Sequence, residues 1–337
     1  MEKTILVGGA AGQGSAVTSH FIGKIFCGLG YYVFDYRDYP SLIRGGHNFN
    51  VLKISDKPVF SHGHKYDIIL ALDQKTIDIH EKNLRKEGFV IGSQDLKAKK
   101  IYSFDSHAIL NRLASPKVFE NNILIGILFK YLGVGKEYLF KTAEQEFKDK
   151  AGAVKKAIEE GYNLTEAKEK FGRAGSEKYL ITGNEAIAIG AVAGGLDAYI
   201  AYPMTPATPV LTFLERNQVK YNILTLQLEN EIAVINAALG ASFAGAKAMV
   251  GTSGGGFALM TEAISLAGMS ELPLVVYLGQ RTAPSTGVPT YTGQGDLKFA
   301  LNAGHGEFPR IVAAPGDPQE AILRTQEAFY LSSKYRV

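Results

Sequence analysis

The fold is organised around one short stretch, Tyr202–Thr208, whose sequence is YPMTPAT. It follows a mostly apolar segment that ends at Ala201, and it contains two prolines. Because proline fixes φ and lacks a backbone N–H, neither proline fits inside a helix or a central strand. The chain therefore leaves a buried strand and turns stiffly around Thr205 before Thr208-Pro209 begins a helix. Ligands bind at such strand ends in open α/β sheets, and an ordinary strand-to-helix turn is the alternative.

Composition narrows the class of protein. A length of 337 residues predicts two domains, and a hydrophobic content of 46% is ordinary for a chain with a buried core. No segment has about 18 consecutive apolar residues, so we expect no membrane span. A net charge of +3 is too weak and too mixed in sign to predict nucleic-acid binding. The single cysteine, Cys27, excludes a cysteine-ligated iron–sulfur cluster held by this chain alone and favours a reducing, cytoplasmic location.

The first half of the chain predicts an α/β domain, residues 1–140, that starts on a glycine turn. A short apolar strand leads into Gly9, Gly12 and Gly14, and a helix follows. This arrangement presents backbone N–H groups to a phosphate, although the spacing differs from the dinucleotide-binding G-x-G-x-x-G pattern. A tight turn with close helix packing is the alternative. Further short strands alternate with helices in a doubly wound pattern.

Histidines are the other candidate ligands in this half. His47 has no partner at metal-ligand spacing, and His62 and His64 lie two residues apart on a strand or turn. The sequence therefore favours solvent-exposed positions for all three over a metal site.

A charged helical stretch, residues 141–176, separates the two halves, and we interpret it as a connector with a solvated face. A second α/β domain follows at 177–337. Thr182 and Glu185 match a capping box at the start of its first helix. The chain ends where a doubly wound sheet is expected to continue, so we interpret this domain as incomplete at its C-terminus.

The second half resembles a known family at these motifs. Tyr202–Thr208 is similar to the signature of the α subunit of 2-oxoacid:ferredoxin oxidoreductases, and the likeness extends through residues 229–233, 251–257, 281–290 and 294–297. Met204 and Ala207 replace the usual Ile and Ser of the signature, which leaves Thr205 in place. The family's α subunits continue beyond the point where this sequence stops.

The first half resembles the γ domain of the same family, through its glycine turn and the sequence Arg44-Gly45-Gly46-His47. The resemblance implies two doubly wound Rossmann-like α/β domains, of which the second is a thiamine diphosphate pyrimidine-binding domain. It implies a γ–α fused subunit that, with a β subunit, oxidatively decarboxylates a 2-oxoacid to acyl-CoA and passes electrons to ferredoxin. The β subunit would hold the diphosphate, Mg and an iron–sulfur cluster. A non-catalytic assembly or binding module, left by C-terminal truncation, is the first alternative, and a nucleotide-dependent dehydrogenase built on the first glycine turn is the second.

The resemblance also implies which residues bind the cofactor. Glu231 is the candidate carboxylate for the pyrimidine N1′, with Glu229 as the reserve; the residues alone, without the resemblance, favour acids that complement a helix dipole. Gly254, Gly255 and Gly256 allow close approach of the backbone to the cofactor or to the partner chain.

Substrate contacts are implied for four residues. Thr205, a catalytic candidate with Glu231, would hydrogen-bond the substrate or the thiazolium adduct. The guanidinium of Arg281 suits the two oxygens of a carboxylate, with a surface ion pair as the alternative. Thr286 and Thr290 would shape the acyl pocket. The resemblance favours 2-oxoglutarate or a broad range of 2-oxoacids over pyruvate.

Three residues of the first domain, Gly12, Gly14 and Arg44, are candidates for contacts with coenzyme A or with a partner chain.

Overall fold

The computed structural model describes residues 1–39, 46–284 and 290–337. It divides into two units, Met1–Leu180 and Ile181–Val337. The finer division into 1–140, 141–176 and 177–337 stays a prediction. Among the described residues, no helix combines the length and the apolar character that crossing a membrane requires.

The described part of the first unit contains a six-stranded mixed sheet with the order β2-β3-β1-β4-β5-β6. The strands β1, β4, β5 and β6 run parallel, whereas β3 pairs antiparallel with both β1 and β2. The antiparallel pair follows from a short connection between Asp38 and His47, because a parallel crossover needs a dozen or more residues. The strands are β1 (Glu2–Ala10), β2 (Tyr32–Asp38), β3 (His47–Ser55), β4 (Tyr66–Ala71), β5 (Leu84–Ser93) and β6 (Ile101–Phe104).

Helices and the sheet of this unit enclose one large apolar core. The core joins Ile5 of the first strand to Phe26, Leu128 and Ile158 of three helices. The charged stretch after residue 140 therefore also contributes buried side chains to the first unit. The helices are α1 (Ser15–Gly28), α2 (Gln74–His80), α3 (Ser106–Arg112), α4 (Glu120–Tyr131), α5 (Lys136–Phe147) and α6 (Ala151–Tyr162).

Helices α4 and α6 pack backbone against backbone at two glycines. A Cβ atom added at Gly161 would lie 2.8 Å from the carbonyl carbon of Ile123 and against its oxygen. A Cβ atom at Gly126 would lie 2.7 Å from the backbone nitrogen of Tyr162. Backbone atoms cannot rotate away as side chains can, so this interface has no room for a methyl group.

We expect Gly161→Ala to lower the free energy of unfolding by about 1–3 kcal/mol, the usual cost of overpacking. Gly152→Ala is the matched control on the same helix, because a Cβ atom at Gly152 meets nothing within 4 Å. That control should gain up to about 1 kcal/mol from the reduced freedom of the unfolded chain. Thermal unfolding of the full chain, followed by circular dichroism, measures both, and equal stabilities of the two variants would contradict the packing argument.

A histidine pair lies beside β3 in the first unit. The Nε2 atoms of His47 and His80 are 2.9 Å apart, and the ring of Phe49 packs against both imidazoles. His62 stacks on Tyr36 with a centroid distance of 4.1 Å. His47 and His62 are thus half-buried, because a residue distant in sequence packs on each ring, whereas His64 is exposed.

Stability should fall with acid because of this pair. Burial, and then the charge of His47, lowers the pKa of His80 from 6.5 to about 4. Between these values the unfolded chain binds a proton that the folded chain does not, so stability present above pH 6.5 is lost as the pH falls. We expect a loss of about 2 kcal/mol by about pH 4.5. Urea unfolding across this range measures it, and His80→Gln should flatten the slope; an unchanged slope would contradict the assignment.

The second unit is built on a parallel sheet with the order β10-β9-β7-β8 in its described residues. One apolar cluster around Tyr199, Met249 and Phe329 covers one face, and a second around Val234, Val250 and Met260 covers the other. Helices on both faces of a parallel sheet define a doubly wound fold, which confirms the predicted fold class. The elements are α7 (Gly183–Ala193), β7 (Ala198–Ala201), α8 (Thr208–Tyr221), β8 (Leu224–Gln227), α9 (Glu231–Phe243), β9 (Ala248–Thr252), α10 (Gly254–Ser270), β10 (Val275–Leu278), α11 (Leu297–Asn302) and α12 (Pro318–Tyr335).

Candidate active site

The candidate site lies at the carboxyl edge of the second sheet, where strand order reverses. After β7 the chain moves to β8 on one side, and then returns past β7 to β9 on the other. The crevice outside β7 and β9 is therefore the topological switch point at which open α/β sheets bind ligands. The Tyr202–Ala207 turn leaves β7 here, and Gly254 begins α10 just after β9. The Thr252 Oγ1 atom lies 3.8 Å from the Met204 Sδ atom and joins the two loops.

Glu231 is buried in this crevice although it carries a carboxyl group. It begins α9, whose N-cap Asn230 accepts a hydrogen bond from the Ala233 backbone at 2.9 Å. Only 4% of Glu231 is exposed, and its Oε1 atom has no hydrogen-bond partner among the described residues. An acid that merely complements a helix dipole remains solvated, so these observations favour a ligand-binding role. Glu229 is exposed, which argues against the reserve candidate.

The glycine turn after β9 brings α10 directly against that carboxyl group. A Cβ atom on Gly256 would lie 2.6 Å from Glu231 Oε1 and would also contact Thr252 Oγ1. At the other end of the turn, Gly254 lies against the carboxyl group of Asp296, which is 7% exposed. Gly255 is exposed. The glycines thus allow two buried acids to approach the start of one helix.

Two further hydroxyl groups lie at this edge. Thr252 and Ser253 are fully buried, and the Ser253 Oγ atom has no hydrogen-bond partner among the described residues. A buried polar atom without a partner costs free energy unless a ligand or water satisfies it. Thr252, Ser253 and Asp296 are not among the site residues predicted from the sequence, although each lies inside a motif that carries the family resemblance.

The turn that carries Thr205 is anchored on two sides. Thr205 itself is half-buried. The carbonyl oxygen of Pro206 accepts a hydrogen bond from Asn184 Nδ2 at 3.1 Å. The turn also rests on the end of β10, because a Cβ atom on Gly279 would lie 3.3 Å from the Pro206 ring. Asn184 gave no signal in the sequence beyond its place in the first turn of a helix.

Arg281 follows β10 at the same edge of the sheet. It is half-buried, and its Nε atom has no hydrogen-bond partner among residues 1–39, 46–284 and 290–337. Next to Arg281, Thr282 donates its backbone N–H to the carbonyl of Tyr291 at 3.0 Å. Thr290, beside that contact, is half-buried. Thr286 lies outside the described residues.

The structure therefore places Thr205, Glu231 and Arg281 at one edge of one sheet. Thr252 connects two of these segments: its side chain touches Met204, and its carbonyl oxygen accepts a hydrogen bond from the Gly279 N–H at 2.8 Å. Their roles in binding stay predictions.

Backbone conformation explains why the turn of the first unit contains glycine at positions 12 and 14. Gly12 and Gly14 adopt φ values of 90° and 84°, a region that side chains disfavour. A Cβ atom on Gly14 would also lie 2.8 Å from Asn121 Nδ2, whereas at Gly12 it would meet nothing within 4 Å. Packing thus explains Gly14, and contacts of either glycine with coenzyme A or a partner chain stay predictions. Arg44 lies outside the described residues.

Metal ligands are not assembled in the described part of the chain, where no group of three or more His, Cys, Asp or Glu side chains is arranged to hold an ion.

Family models match both units. Residues 189–337 match the family described as pyruvate flavodoxin/ferredoxin oxidoreductase, thiamine diphosphate binding. Residues 4–164 match the pyruvate ferredoxin/flavodoxin oxidoreductase family. The fold and these matches place both units in pyruvate ferredoxin/flavodoxin oxidoreductase families, the second unit as the thiamine diphosphate-binding domain.

Individual relatives narrow that class. The chain is 33% identical to the α subunit of a 2-oxoacid:ferredoxin oxidoreductase from Saccharolobus solfataricus, over all of this chain and 63% of the relative. It is 30% identical to a 2-oxoglutarate oxidoreductase subunit from Mycobacterium tuberculosis, over 88% of this chain and 53% of the relative. The 2-oxoglutarate:ferredoxin oxidoreductase structure from Magnetococcus marinus, solved with 2-oxoglutarate, coenzyme A and succinyl-CoA bound, superposes with a TM-score of 0.89 at 27% identity, covering 100% of this chain and 62% of that one.

The chain belongs to the 2-oxoacid:ferredoxin oxidoreductase family, which confirms the resemblance inferred from its motifs. It spans 63% of the length of the Saccharolobus relative.

Proposed function

We propose that this chain is the γ–α fused component of a 2-oxoacid:ferredoxin oxidoreductase that acts together with a β subunit. The observation that carries the proposal is Glu231, a buried carboxyl group with an unpartnered oxygen at the switch point of a thiamine diphosphate-binding domain. The aminopyrimidine of that cofactor offers a ring nitrogen that can share a proton with such a carboxyl group, so the residues present fit the group.

The proposed reaction is the oxidative decarboxylation of a 2-oxoacid to acyl-CoA. A 2-oxoacid and coenzyme A become acyl-CoA and CO2 as the carbon–carbon bond to the carboxylate breaks and a carbon–sulfur bond to the thiol forms. The two electrons released pass one at a time to two oxidised ferredoxins, and the thiol proton goes to solvent. When bound, thiamine diphosphate supplies the nucleophilic carbon and the electron sink that this decarboxylation needs.

Different residues of the second unit would bind the cofactor and the substrate. Glu231 would hold or move the proton at the pyrimidine nitrogen, while Gly254–Gly256 let the backbone approach the ring. Thr205 would hydrogen-bond the substrate. Arg281, with its unpartnered Nε, would bind the 2-oxoacid carboxylate through its fork of donors. Thr286 and Thr290 would line the acyl pocket.

The β subunit would supply what this sequence lacks. Cys27 is its single cysteine and is buried in the first unit, whereas iron–sulfur clusters are held by several thiolates. We therefore assign the cluster, the magnesium ion and the diphosphate site to the partner. The partner's cluster would then pass the electrons to ferredoxin. The first unit, through Gly12, Gly14 and Arg44, would contact coenzyme A or the partner.

The substrate proposal is 2-oxoglutarate or a broad range of 2-oxoacids. The relatives support it, because those from Saccharolobus and Mycobacterium are named for 2-oxoacids and 2-oxoglutarate. The neighbour with a TM-score of 0.89 has 2-oxoglutarate bound.

Co-expression with a β subunit tests the proposal. The purified complex should reduce a viologen dye only when thiamine diphosphate, coenzyme A and a 2-oxoacid are all present. Turnover with pyruvate, 2-oxoglutarate and branched 2-oxoacids should be compared, and a preference for pyruvate would overturn the substrate proposal. A complex that assembles but reduces no dye with any 2-oxoacid would overturn the catalytic proposal in favour of a non-catalytic assembly module.

A further inference from the structure

A chain of hydrogen bonds runs beneath the turn that carries Thr205. The hydroxyl of Tyr277 donates to Asn184 Oδ1 at 2.8 Å. The Nδ2 atom of Asn184 donates in turn to the carbonyl oxygen of Pro206 at 3.1 Å. Three elements that are far apart in sequence, β10, α7 and the turn after β7, are thereby connected next to the proposed substrate-binding hydroxyl.

The two side chains that anchor this hydrogen-bond network, Asn184 and Tyr277, both lie in regular secondary structure. Asn184 lies in the first turn of α7, where a capping box forms: the Thr182 N–H donates to Glu185 Oε2 at 2.7 Å, and the Glu185 N–H donates to Thr182 Oγ1 at 3.2 Å. Tyr277 lies within β10, paired in register with Gly251 of β9. The helix start is held by its capping box, and β10, the edge strand of the described sheet, is held by its backbone pairing with β9.

Only one orientation of the Asn184 side-chain amide satisfies both of its hydrogen bonds, to Tyr277 and to Pro206. Burial raises the pKa of Tyr277 to about 12, so its hydroxyl keeps its proton at neutral pH and can donate. The Pro206 carbonyl can only accept, so the amide nitrogen of Asn184 must face it. An aspartate at position 184 could accept from Tyr277 but could not donate to Pro206.

The turn's own hydrogen bonds close it without attaching it to the sheet. The backbone N–H groups of Ala207 and Thr208 both donate to the Met204 carbonyl, at 2.8 and 3.1 Å. The contact with Gly279 is van der Waals packing. Beside the long contact between Thr252 Oγ1 and Met204 Sδ at 3.8 Å, Asn184 therefore supplies a short, directional anchor for the residue that follows Thr205.

From this geometry we infer that Asn184 and Tyr277 are positioning residues: they hold the Tyr202–Thr208 turn so that Thr205 meets the substrate. The inference rests on the proposed function for its catalytic consequence. Whether Asn184 and Tyr277 hold the turn in place can be measured on this chain alone, without a partner or a cofactor.

Three variants of the full chain test it. Asn184→Asp removes the donor to Pro206 at nearly constant shape, and an acid in the first turn of a helix favours folding of α7. Tyr277→Phe removes the hydroxyl that orients the amide. Tyr199→Phe is the matched control, because this fully buried tyrosine of the same core has a hydroxyl without a hydrogen-bond partner among the described residues.

Hydrogen exchange of the Ala207 and Thr208 amides is the first measurement, on the chain without partner. We expect exchange to accelerate about tenfold in Asn184→Asp, a change of about 1.4 kcal/mol in local opening, and to stay unchanged in Tyr199→Phe. Unchanged exchange in Asn184→Asp, with the chain folded, would overturn the inference.

Turnover of the complex with a β subunit is the second measurement. We expect kcat to fall about 10- to 100-fold in Asn184→Asp with bound thiamine diphosphate retained, because misplacing a binding group by about an ångström has such effects. The double variant with Tyr277→Phe should lose no more than Asn184→Asp alone, since Tyr277 acts through Asn184. Additive losses, or equal losses in Tyr199→Phe, would overturn the inference. A wild-type complex that turns over no 2-oxoacid would overturn the proposed function instead, and hydrogen exchange would still decide the positioning role.

Discussion

Replacing Glu231 with glutamine should lower turnover about 10²- to 10⁴-fold while leaving the fold intact. Glutamine keeps the shape of the side chain but cannot take up and return a proton, and proton transfer of this kind contributes about 10²- to 10⁴-fold to rates. Viologen reduction by the reconstituted complex measures the loss, which we expect in kcat. The cofactor-free chain should meanwhile unfold at the same or a higher temperature, because the variant removes a buried carboxyl group with an unpartnered oxygen.

The combination of lost activity and retained stability separates a functional acid from a structural one. An acid that stabilised the start of α9 would, when neutralised, lower the unfolding temperature and leave residual turnover. Glu229→Gln is the matched control, because Glu229 is exposed and lies outside α9. We expect that control to keep wild-type turnover. A Glu231→Gln complex with more than about a tenth of wild-type activity would contradict the assignment, since such a residue supplies little proton transfer.

Adding one methyl group at Gly256 should also disable the site. The new carbon atom would lie 2.6 Å from Glu231 Oε1 and 2.7 Å from its Cγ, so the glutamate must move. Displacing a proton-sharing group by about an ångström costs about 100-fold in rate, and the overpacked core loses about 1–3 kcal/mol. Binding of thiamine diphosphate to the complex, measured by calorimetry, and kcat should both fall in Gly256→Ala.

A second glycine of the same unit provides the control for that experiment. Gly240 lies on α9, and a Cβ atom there would meet nothing within 4 Å. Gly240→Ala should therefore bind the cofactor normally and gain up to about 1 kcal/mol from helix propensity. Normal cofactor binding and turnover in Gly256→Ala would show that the close approach of α10 to Glu231 has no part in function.

Much of the fold could be predicted because local rules decide it. The prolines of Tyr202–Thr208 end a strand wherever they occur, and the capping box of Thr182 and Glu185 starts a helix at the predicted residue. Alternating strands and helices then favour a doubly wound sheet, whose carboxyl edge collects the loops. The antiparallel pairing of β2 and β3 was not predicted, because strand order depends on partners that are distant in sequence.

The candidate site could be predicted only in part. Motif likeness pointed to Thr205, Glu231 and Arg281, and the structure places all three at one sheet edge. Local chemistry did not distinguish Glu231 from Glu229, since both are acids near a helix start. Burial distinguishes them, with Glu231 only 4% exposed and Glu229 in solvent.

The sequence by itself determined the class of fold, the position of the central turn and the family, because these depend on backbone restrictions and on motifs that are continuous along the chain. Only the tertiary structure decided which acid is buried, how closely Gly256 approaches it, and that Asn184 joins Tyr277 to Pro206. Those features are distances between segments far apart in sequence, and packing of the whole unit sets such distances.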